Sequence, residues 1–237
     1  MSDIKNHVNV YENKLKVYLL EDIPLANMLA EETKYIDSAL SKETKWTEFH
    51  KKNEYKMYCF GGLYPIEKDG VYKKGQIYTI IIRTVNMQLA SYLSDSLKNH
   101  YTTAMKGLTS EIGMLPKKVI NEIYTLTPVI VKTEAGYWKG HLSFEEYEKH
   151  LFANVVKKYN AYCGAKMDED FDLYTSICFL NKKPIATGYK NIRLLGDKIA
   201  LKIADNKSAQ DLAYFLLGTG IGEMNGRGFG FCNSSWL

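Results

Sequence analysis

Apolar and polar residues alternate near the start of the chain, where Leu15, Val17 and Leu19 are separated by Lys16 and Tyr18. A period of two predicts a strand with one buried face. Further along the chain, the apolar residues recur first at the spacing of a helix and then again in strand-like segments. The further elements that this pattern predicts are a helix beginning at Pro24, strands over residues 55–63 and 76–84, a helix capped by Asn86, and a closing strand over residues 122–131. The order strand, helix, strand, strand, helix, strand is that of the ferredoxin-like unit.

The second half of the chain repeats this order. Its first strand is assigned either to residues 127–132 or to the segment Tyr137-Trp138. Its remaining elements are a helix opened by the capping box Ser143 to Glu146, strands over residues 173–180, 183–192 and 198–203, and a last helix capped by Ser208 and ended by Gly218. The pattern therefore predicts an α+β fold of two tandem ferredoxin-like domains, residues 1–131 and 132–237, with a glycine-rich loop at the C-terminal end.

Composition narrows the classes of protein only slightly. The 237 residues are 46% apolar, which supports a sizeable core, and the net charge of +4 permits a nucleic-acid partner without requiring one. The four cysteines are far apart, at positions 59, 163, 178 and 232, which is typical of reduced thiols in a cytosolic protein. The N-terminus has no leader pattern, and no apolar stretch approaches membrane-spanning length. We expect a cytoplasmic protein that does not contact a membrane.

A glycine-rich run, Gly218 to Gly230, holds six of the 17 glycines of the chain. Glycines let backbone N–H groups approach a ligand closely, most often a phosphate. Both the dinucleotide fingerprint and the P-loop need a strand before the glycines and a helix after them. Here a predicted helix comes first and a strand follows, so both of those nucleotide-binding motifs are excluded.

His50 is the best candidate for proton transfer among the five histidines, because it lies in a polar segment, residues 42–54, that is predicted to be a loop. A solvated surface histidine is the alternative. His141 and His150 lie nine residues apart, share no helix face and have no cysteine at ligand spacing, which argues against a zinc site.

The densest group of carboxylates is Asp168, Glu169, Asp170 and Asp172. Such a cluster raises the alternative of a metal-dependent nuclease that uses Asp168, Asp170 and Asp172. The cluster lies between a predicted helix and a predicted strand, where a solvated loop is the more common arrangement.

Three segments resemble one known family. The terminal loop Gly218 to Gly230, the segment Leu126 to Val131 and the segment Lys56 to Leu63 resemble the RAMP superfamily of CRISPR-associated proteins, and within it the Cas6 endoribonucleases. Members of that family cut CRISPR precursor transcripts within each repeat. Together with the repeated ferredoxin-like order, the resemblance covers essentially the whole chain.

The resemblance implies catalytic roles for Tyr35, His50 and Lys56, with Tyr55 in place of Tyr35 or Lys56 if the register differs. His50 would act as general base, or as general acid in the opposite assignment. Lys56 would neutralise charge on the pentacoordinate phosphate, and Tyr35 would orient the 2′-OH or donate a proton to the leaving oxygen. The products would be a 2′,3′-cyclic phosphate and a 5′-OH, with no metal and no cofactor.

The resemblance also implies where RNA binds. The expected contacts are Gly218, Gly220, Gly222, Gly226, Arg227 and Gly228 in the loop, and Lys182, Lys183, Lys190, Arg193 and Lys198 in the strands of the second domain. The implied partner is CRISPR repeat RNA, with subunits of a CRISPR effector complex as further candidates, and the protein would be a monomer or homodimer. A RAMP subunit that holds guide RNA without cutting it is the alternative function.

Overall fold

The computed structural model describes residues 8–134, 136–190 and 192–237. The helices are α1 Met28–Leu40, α2 Thr44–Lys51, α3 Met87–Leu97, α4 Phe144–Cys163 and α5 Lys207–Thr219. The strands are β1 Tyr11–Leu19, β2 Ile23–Pro24, β3 Tyr58–Phe60, β4 Val71–Tyr72, β5 Ile77–Thr84, β6 Met105–Met114, β7 Ile120–Thr125, β8 Tyr174–Phe179, β9 Ile185–Tyr189, β10 Ile192–Gly196, β11 Ile199–Ile203 and β12 Cys232–Trp236. The first seven residues, on which the expectation of a leaderless N-terminus partly rests, lie outside the described ranges. No helix within those ranges is long and apolar enough to cross a membrane.

The first sheet is antiparallel and has the strand order β3-β5-β1-β6. Leu15, Val17 and Leu19 of β1 are fully buried, as their alternation predicts. They pack in a core shared with α1 and α3. The side chain of Asn86 accepts a hydrogen bond from the Leu89 amide and so caps α3, as expected.

The second sheet has the equivalent order β12-β7-β11-β8, with α4 and α5 contributing to its core. The capping box at Ser143 is present at the start of α4, with the predicted reciprocal bonds to Glu146. A two-stranded hairpin, β9 and β10, is inserted between β8 and β11. The α+β fold of two tandem ferredoxin-like units is therefore confirmed.

One predicted strand belongs to the other sheet. The sequence pattern assigns residues 122–131 to the closing strand of the first unit. In the structure this segment begins in β7, which pairs with β11 and β12 and is the first strand of the second unit. Its place in the first sheet is taken by β6, whose outer half is exposed and has little apolar alternation, so the pattern did not reveal it. The two alternatives for the opening strand of the second unit, residues 127–132 and 137–138, are both wrong. We propose that the units divide between β6 and β7, ahead of the expected boundary after residue 131.

Three local predictions also need correction. The segment around His50 is not a loop but the helix α2. The last helix is capped by Asn206, whose side chain accepts from the Ala209 amide, rather than by Ser208. That helix continues through Gly218 and ends at Gly220, whose φ of +78° is readily adopted only by glycine.

Candidate functional site

His50 lies in the last turn of α2, at the surface of the first unit. The helix is anchored by Trp46, which is buried and packs against the rings of Phe49, at 5.7 Å, and Tyr92 of α3, at 5.1 Å. Anchoring one end of so short a helix fixes the other end, and this holds the His50 imidazole at the edge of a cleft.

His50, Asp37 and Arg227 form one cluster. The Nδ1 atom of His50 lies 3.4 Å from Oδ1 of Asp37, which is on α1. The Nη2 atom of Arg227, from the glycine-rich loop, lies 3.4 Å from Nε2 of His50, and the same guanidinium pairs with Oδ2 of Asp37 through Nη1. The three side chains are between a quarter and a third exposed. Residues from both ferredoxin-like units therefore meet at His50.

Partial burial lowers the pKa of His50 below its usual value, and the positive charges of Arg227 and Lys56 act in the same direction. The carboxylate of Asp37 opposes them without overcoming them. The imidazole is consequently neutral at physiological pH, which is the state that a general base requires.

Lys56 follows α2 and turns back onto its C-terminus. Its Nζ atom donates to the backbone carbonyls of Phe49 and Lys52, each at 2.5 Å. A cation at a helix C-terminus is favourable because the last carbonyls have no partner within the helix. Burial is the main cause of a lowered pKa for Lys56. The lysine is at the cleft, as expected, and also closes the helix that carries His50.

Tyr35 is not at this site. Its side chain is fully buried, and its hydroxyl donates to the backbone carbonyl of Leu97 at 2.7 Å. Tyr35 and Asp37 are two residues apart on α1, which places them about 200° apart around the helix axis. Because Asp37 faces His50, Tyr35 must face the core on the opposite side. Its predicted contact with the reacting groups is therefore wrong, whereas Tyr55 and Tyr58 do line the cleft.

A buried lysine of the second unit organises the glycine-rich loop. Lys158 of α4 is 2% exposed, and its Nζ atom donates to the carbonyls of Gly220 and Gly222 and to Oδ1 of Asn225. The side-chain amide nitrogen of Asn225, Nδ2, in turn donates to the backbone carbonyls of Ile221 and Phe229, each at 3.0 Å. These bonds close the loop on itself and present Arg227 to the cleft.

The glycines of the loop are explained mainly by packing. A methyl group at Gly228 would lie 2.6 Å from the ring of Phe60, and one at Gly222 would lie 2.7 Å from the carbonyl oxygen of Ile130. Of the loop residues expected to contact RNA, Gly222, Gly226 and Arg227 line the cleft. Gly218, Gly220 and Gly228 are not part of its wall; Gly218 instead lies in α5, where it allows close contact with Val10 and Val85.

The cleft has a volume of about 790 Å³ and lies between the first unit, helix α4 and the glycine-rich loop. Its charged and titratable lining is mostly basic: Lys56, Lys132, Lys149, Lys157, Lys158, Arg227, His50 and His150, against Glu54 and Glu223. Such a lining favours a polyanionic ligand. Lys149, His150 and Lys157 of α4 line the cleft and were not singled out as a group from the sequence, although Lys157 follows the other two by about two helical turns, which is a recognisable signal.

The basic residues expected to bind RNA in the strands of the second unit lie outside the cleft. Lys182, Lys183, Lys190 and Arg193 are exposed and do not line the cleft. Lys190 has a φ of +51° in the turn between β9 and β10. Lys198 is half-buried, and burial lowers its pKa. The hairpin therefore offers a second, separate basic surface.

The carboxylate cluster is an exposed turn in which Oδ1 of Asp168 accepts from the Asp170 amide at 3.1 Å. Within the ranges that the structure describes, no three His, Cys, Asp or Glu side chains are grouped so that they could hold a metal ion. The four cysteines are free thiols; two of them, Cys59 and Cys232, are fully buried.

Comparisons with known proteins agree with this architecture. The chain is 24% identical over 213 residues to "CRISPR-associated endoribonuclease Cas6 2" of Methanocaldococcus jannaschii, which covers 82% of this chain and 87% of that protein. Two solved structures have a similar fold: "An RAMP protein binding different RNA substrates", with a TM-score of 0.72 and 18% identity, and "CRISPR associated protein Cas6", with a TM-score of 0.70 and 20% identity. Each covers 95% of this chain and is itself covered to 99%.

A family model described as "CRISPR associated protein Cas6, C-terminal" matches residues 114–234. The match spans half of the chain and begins where β6 ends, so it contains the glycine-rich loop and the second unit's sheet except for the last two residues of β12. The chain belongs to the Cas6 family of CRISPR-associated proteins.

Proposed function

We propose that the protein is a metal-independent endoribonuclease that cuts CRISPR precursor RNA within its repeats. The observation that carries the proposal is the position of His50, which Asp37 and Arg227 contact at the wall of a basic cleft large enough for a few nucleotides. Its lowered pKa favours the neutral imidazole that a base requires. RNA contains its own nucleophile, so the protein needs only a base, a positive environment for the phosphate and a proton for the leaving group.

In the proposed reaction, Nε2 of His50 accepts the proton of the 2′-OH as the 2′-oxygen attacks the adjacent phosphorus. The bond between phosphorus and the 5′-oxygen breaks, giving a 2′,3′-cyclic phosphate and a 5′-OH end. Arg227 and Lys56 stabilise the extra negative charge on the phosphate. Two of the three protons on the Lys56 ammonium are donated to backbone carbonyls, and the third is available for the departing oxygen. The lowered pKa of Lys56 makes it a better proton donor than an ordinary lysine.

RNA binding is proposed at two surfaces. The cleft would hold the nucleotides around the cut through Lys149 and Lys157 of α4 and through Arg227. Exposed basic residues in the hairpin, Lys190 and Arg193, and just before it, Lys182 and Lys183, would hold a more distant part of the repeat. Repeat RNA is thus the proposed partner, while effector-complex subunits and the choice between monomer and homodimer stay predictions.

A repeat RNA with one 2′-deoxy nucleotide directly upstream of the scissile phosphate tests the chemistry. It should bind like the all-ribose repeat, because nearly all backbone contacts remain, and it should resist cutting in the presence of EDTA because the nucleophile is gone. Cutting of this RNA would show that water is the nucleophile and would overturn the proposal.

The second candidate function is an RNA-holding RAMP subunit that does not cut. The Arg227 guanidinium beside Nε2 favours this alternative, because a nitrogen that accepts a bond from a cation cannot take a proton until the cation moves. Binding of the all-ribose repeat without any 2′,3′-cyclic phosphate product would establish this second function.

A further inference from the structure

The two nitrogens of His50 face groups of opposite hydrogen-bonding character. Nε2 faces Nη2 of Arg227, and a guanidinium nitrogen can only donate. Nε2 must therefore present its lone pair, and the single proton of the neutral ring must be on Nδ1. That nitrogen faces Oδ1 of Asp37 at 3.4 Å.

The same oxygen of Asp37 is buried and has no hydrogen-bond partner among the described residues, because its 3.4 Å contact with Nδ1 is an ion-pair contact without hydrogen-bond geometry. The second oxygen, Oδ2, is paired with Arg227. One carboxylate thus has one oxygen for the His50 ring and the other for the guanidinium. A buried oxygen without a partner is costly, so Oδ1 gains from a donor at Nδ1.

We propose that Asp37 is a positioning residue for His50, an inference that rests on the proposed function. Its Oδ1 keeps the imidazole proton on Nδ1, so that the Nε2 lone pair is available for the 2′-OH. Its Oδ2 holds Arg227 beside Nε2 until the scissile phosphate takes the guanidinium. The negative charge of the Asp37 carboxylate stabilises the imidazolium that forms when Nε2 gains the proton.

Charged side chains reach His50 from three neighbouring segments. Asp37 comes from α1, Arg227 from the glycine-rich loop and Lys56 from the segment after α2. Tyr58 of β3 and Tyr189 of β9 flank the guanidinium. Asp37 is the only group in this set that favours the protonated imidazole, so its removal should shift the acid limb of the cleavage pH profile to lower pH.

The test compares Asp37→Asn, Asp37→Glu and the control Asp95→Asn, whose carboxyl is exposed on α3. In Asp37→Asn the amide can donate to Nδ1 and favour the other tautomer, so the cleavage rate of bound repeat RNA should fall about 100-fold or more. Affinity for a 2′-deoxy repeat should stay within about threefold, Asp37→Glu should recover part of the rate, and Asp95→Asn should match wild type. An unchanged rate and pH profile in Asp37→Asn would overturn the proposal.

The tautomer can be measured without RNA. Nitrogen chemical shifts of His50 in the free wild-type protein should report a proton on Nδ1 and a bare Nε2. A proton on Nε2 would overturn the proposal even if Asp37→Asn failed to fold. If the wild type bound the repeat but did not cut it, the proposed function would fail, whereas the nitrogen shifts would still decide the role of Asp37.

Discussion

Lys158 and Asn225 are joined by a buried hydrogen bond, with Nζ of the lysine 2.6 Å from Oδ1 of the asparagine. The lysine belongs to helix α4 and the asparagine to the glycine-rich loop, two residues before Arg227. Through this bond the second unit determines where a guanidinium stands beside His50 of the first unit. The geometry of the Asp37, His50 and Arg227 cluster therefore depends on this bond, although neither residue belongs to the cluster.

Lys158→Met should destabilise the protein. The change leaves two carbonyls and the Asn225 side-chain oxygen without their donor, and each unsatisfied buried group costs roughly 1–3 kcal/mol. Loss of the buried charge offsets part of this, so we expect a net decrease of about 1–3 kcal/mol in the free energy of unfolding measured with urea at pH 7. Lys157→Met, at the exposed neighbouring position, should change it by less than about 0.5 kcal/mol.

The effect of Lys158→Met on the free energy of unfolding should also depend on pH. Burial lowers the pKa of Lys158 from 10.5 to about 8. Between these values the unfolded chain binds a proton that the folded chain has released, so the contribution of this lysine to stability is smallest below about pH 8 and grows as the pH rises. The stability difference between wild type and Lys158→Met should therefore widen from pH 8 to 10, and a constant difference would show that the lysine titrates normally.

Gly228→Ala should be among the most damaging changes in the loop. Gly228 has a φ of +83°, and its added methyl group would meet Phe60 at 2.6 Å and Leu29 at 2.8 Å. Gly70→Ala is a matched control, because Gly70 has a φ of +74° but open space around it. The control measures the backbone strain alone, about 1–2 kcal/mol, and the excess cost in Gly228→Ala, expected at about 1–3 kcal/mol, measures the crowding. Equal costs in thermal unfolding would mean that the loop moves to admit the methyl group.

Glu32 should make the protein less stable as the pH rises. It is fully buried in the first core, and neither carboxyl oxygen has a hydrogen-bond partner among the described residues. Burial raises its pKa well above 4.5, so the folded state keeps a proton that the unfolded state loses. This contribution to stability is complete below about pH 4.5 and is lost as the pH rises towards the folded pKa.

Glu32→Met should remove that pH dependence and stabilise the protein by about 1–3 kcal/mol at pH 7, because an apolar side chain replaces an unpaired acid. Urea unfolding at pH 5 and pH 8 measures both effects, with Glu169→Met in the exposed turn as control. A variant less stable than wild type at pH 8 would mean that Glu32 has a partner.

Arg227→Ala should weaken binding of a single-stranded repeat. Affinity should also depend less steeply on salt: the magnitude of the slope of log affinity against log salt concentration should decrease by about 0.7 for each phosphate that the protein no longer neutralises. Arg227→Lys should keep most of the salt slope but cut more slowly, because an ammonium cannot form the paired hydrogen bonds of a guanidinium. Unchanged affinity and slope in both variants would remove Arg227 from the RNA-binding surface.

The repeated order of strands and helices was readable from the sequence because β1 and α1 have clear apolar periods and α3 and α4 have recognisable caps. β7 was assigned to the wrong sheet because alternation does not say which sheet a strand joins, which is decided by long-range pairing. β6 was missed because its outer half has little apolar alternation. His50 and Lys56 were placed at the site through the family resemblance. Asp37 was missed and Tyr35 wrongly included because the phase of a helix, and not the residue type, decides which side chain meets a distant loop.

The most direct test of the proposed role of His50 in metal-independent cleavage is single-turnover cleavage of a labelled repeat RNA in EDTA by wild type, His50→Ala and His141→Ala. His141 is exposed and does not line the cleft, so it controls for loss of a histidine. We predict a rate about 10²- to 10⁴-fold lower for His50→Ala, with affinity for the 2′-deoxy repeat within a few-fold of wild type, and a wild-type rate for His141→Ala. A near-normal rate for His50→Ala would show that His50 does not take part in cleavage and would contradict the proposed mechanism.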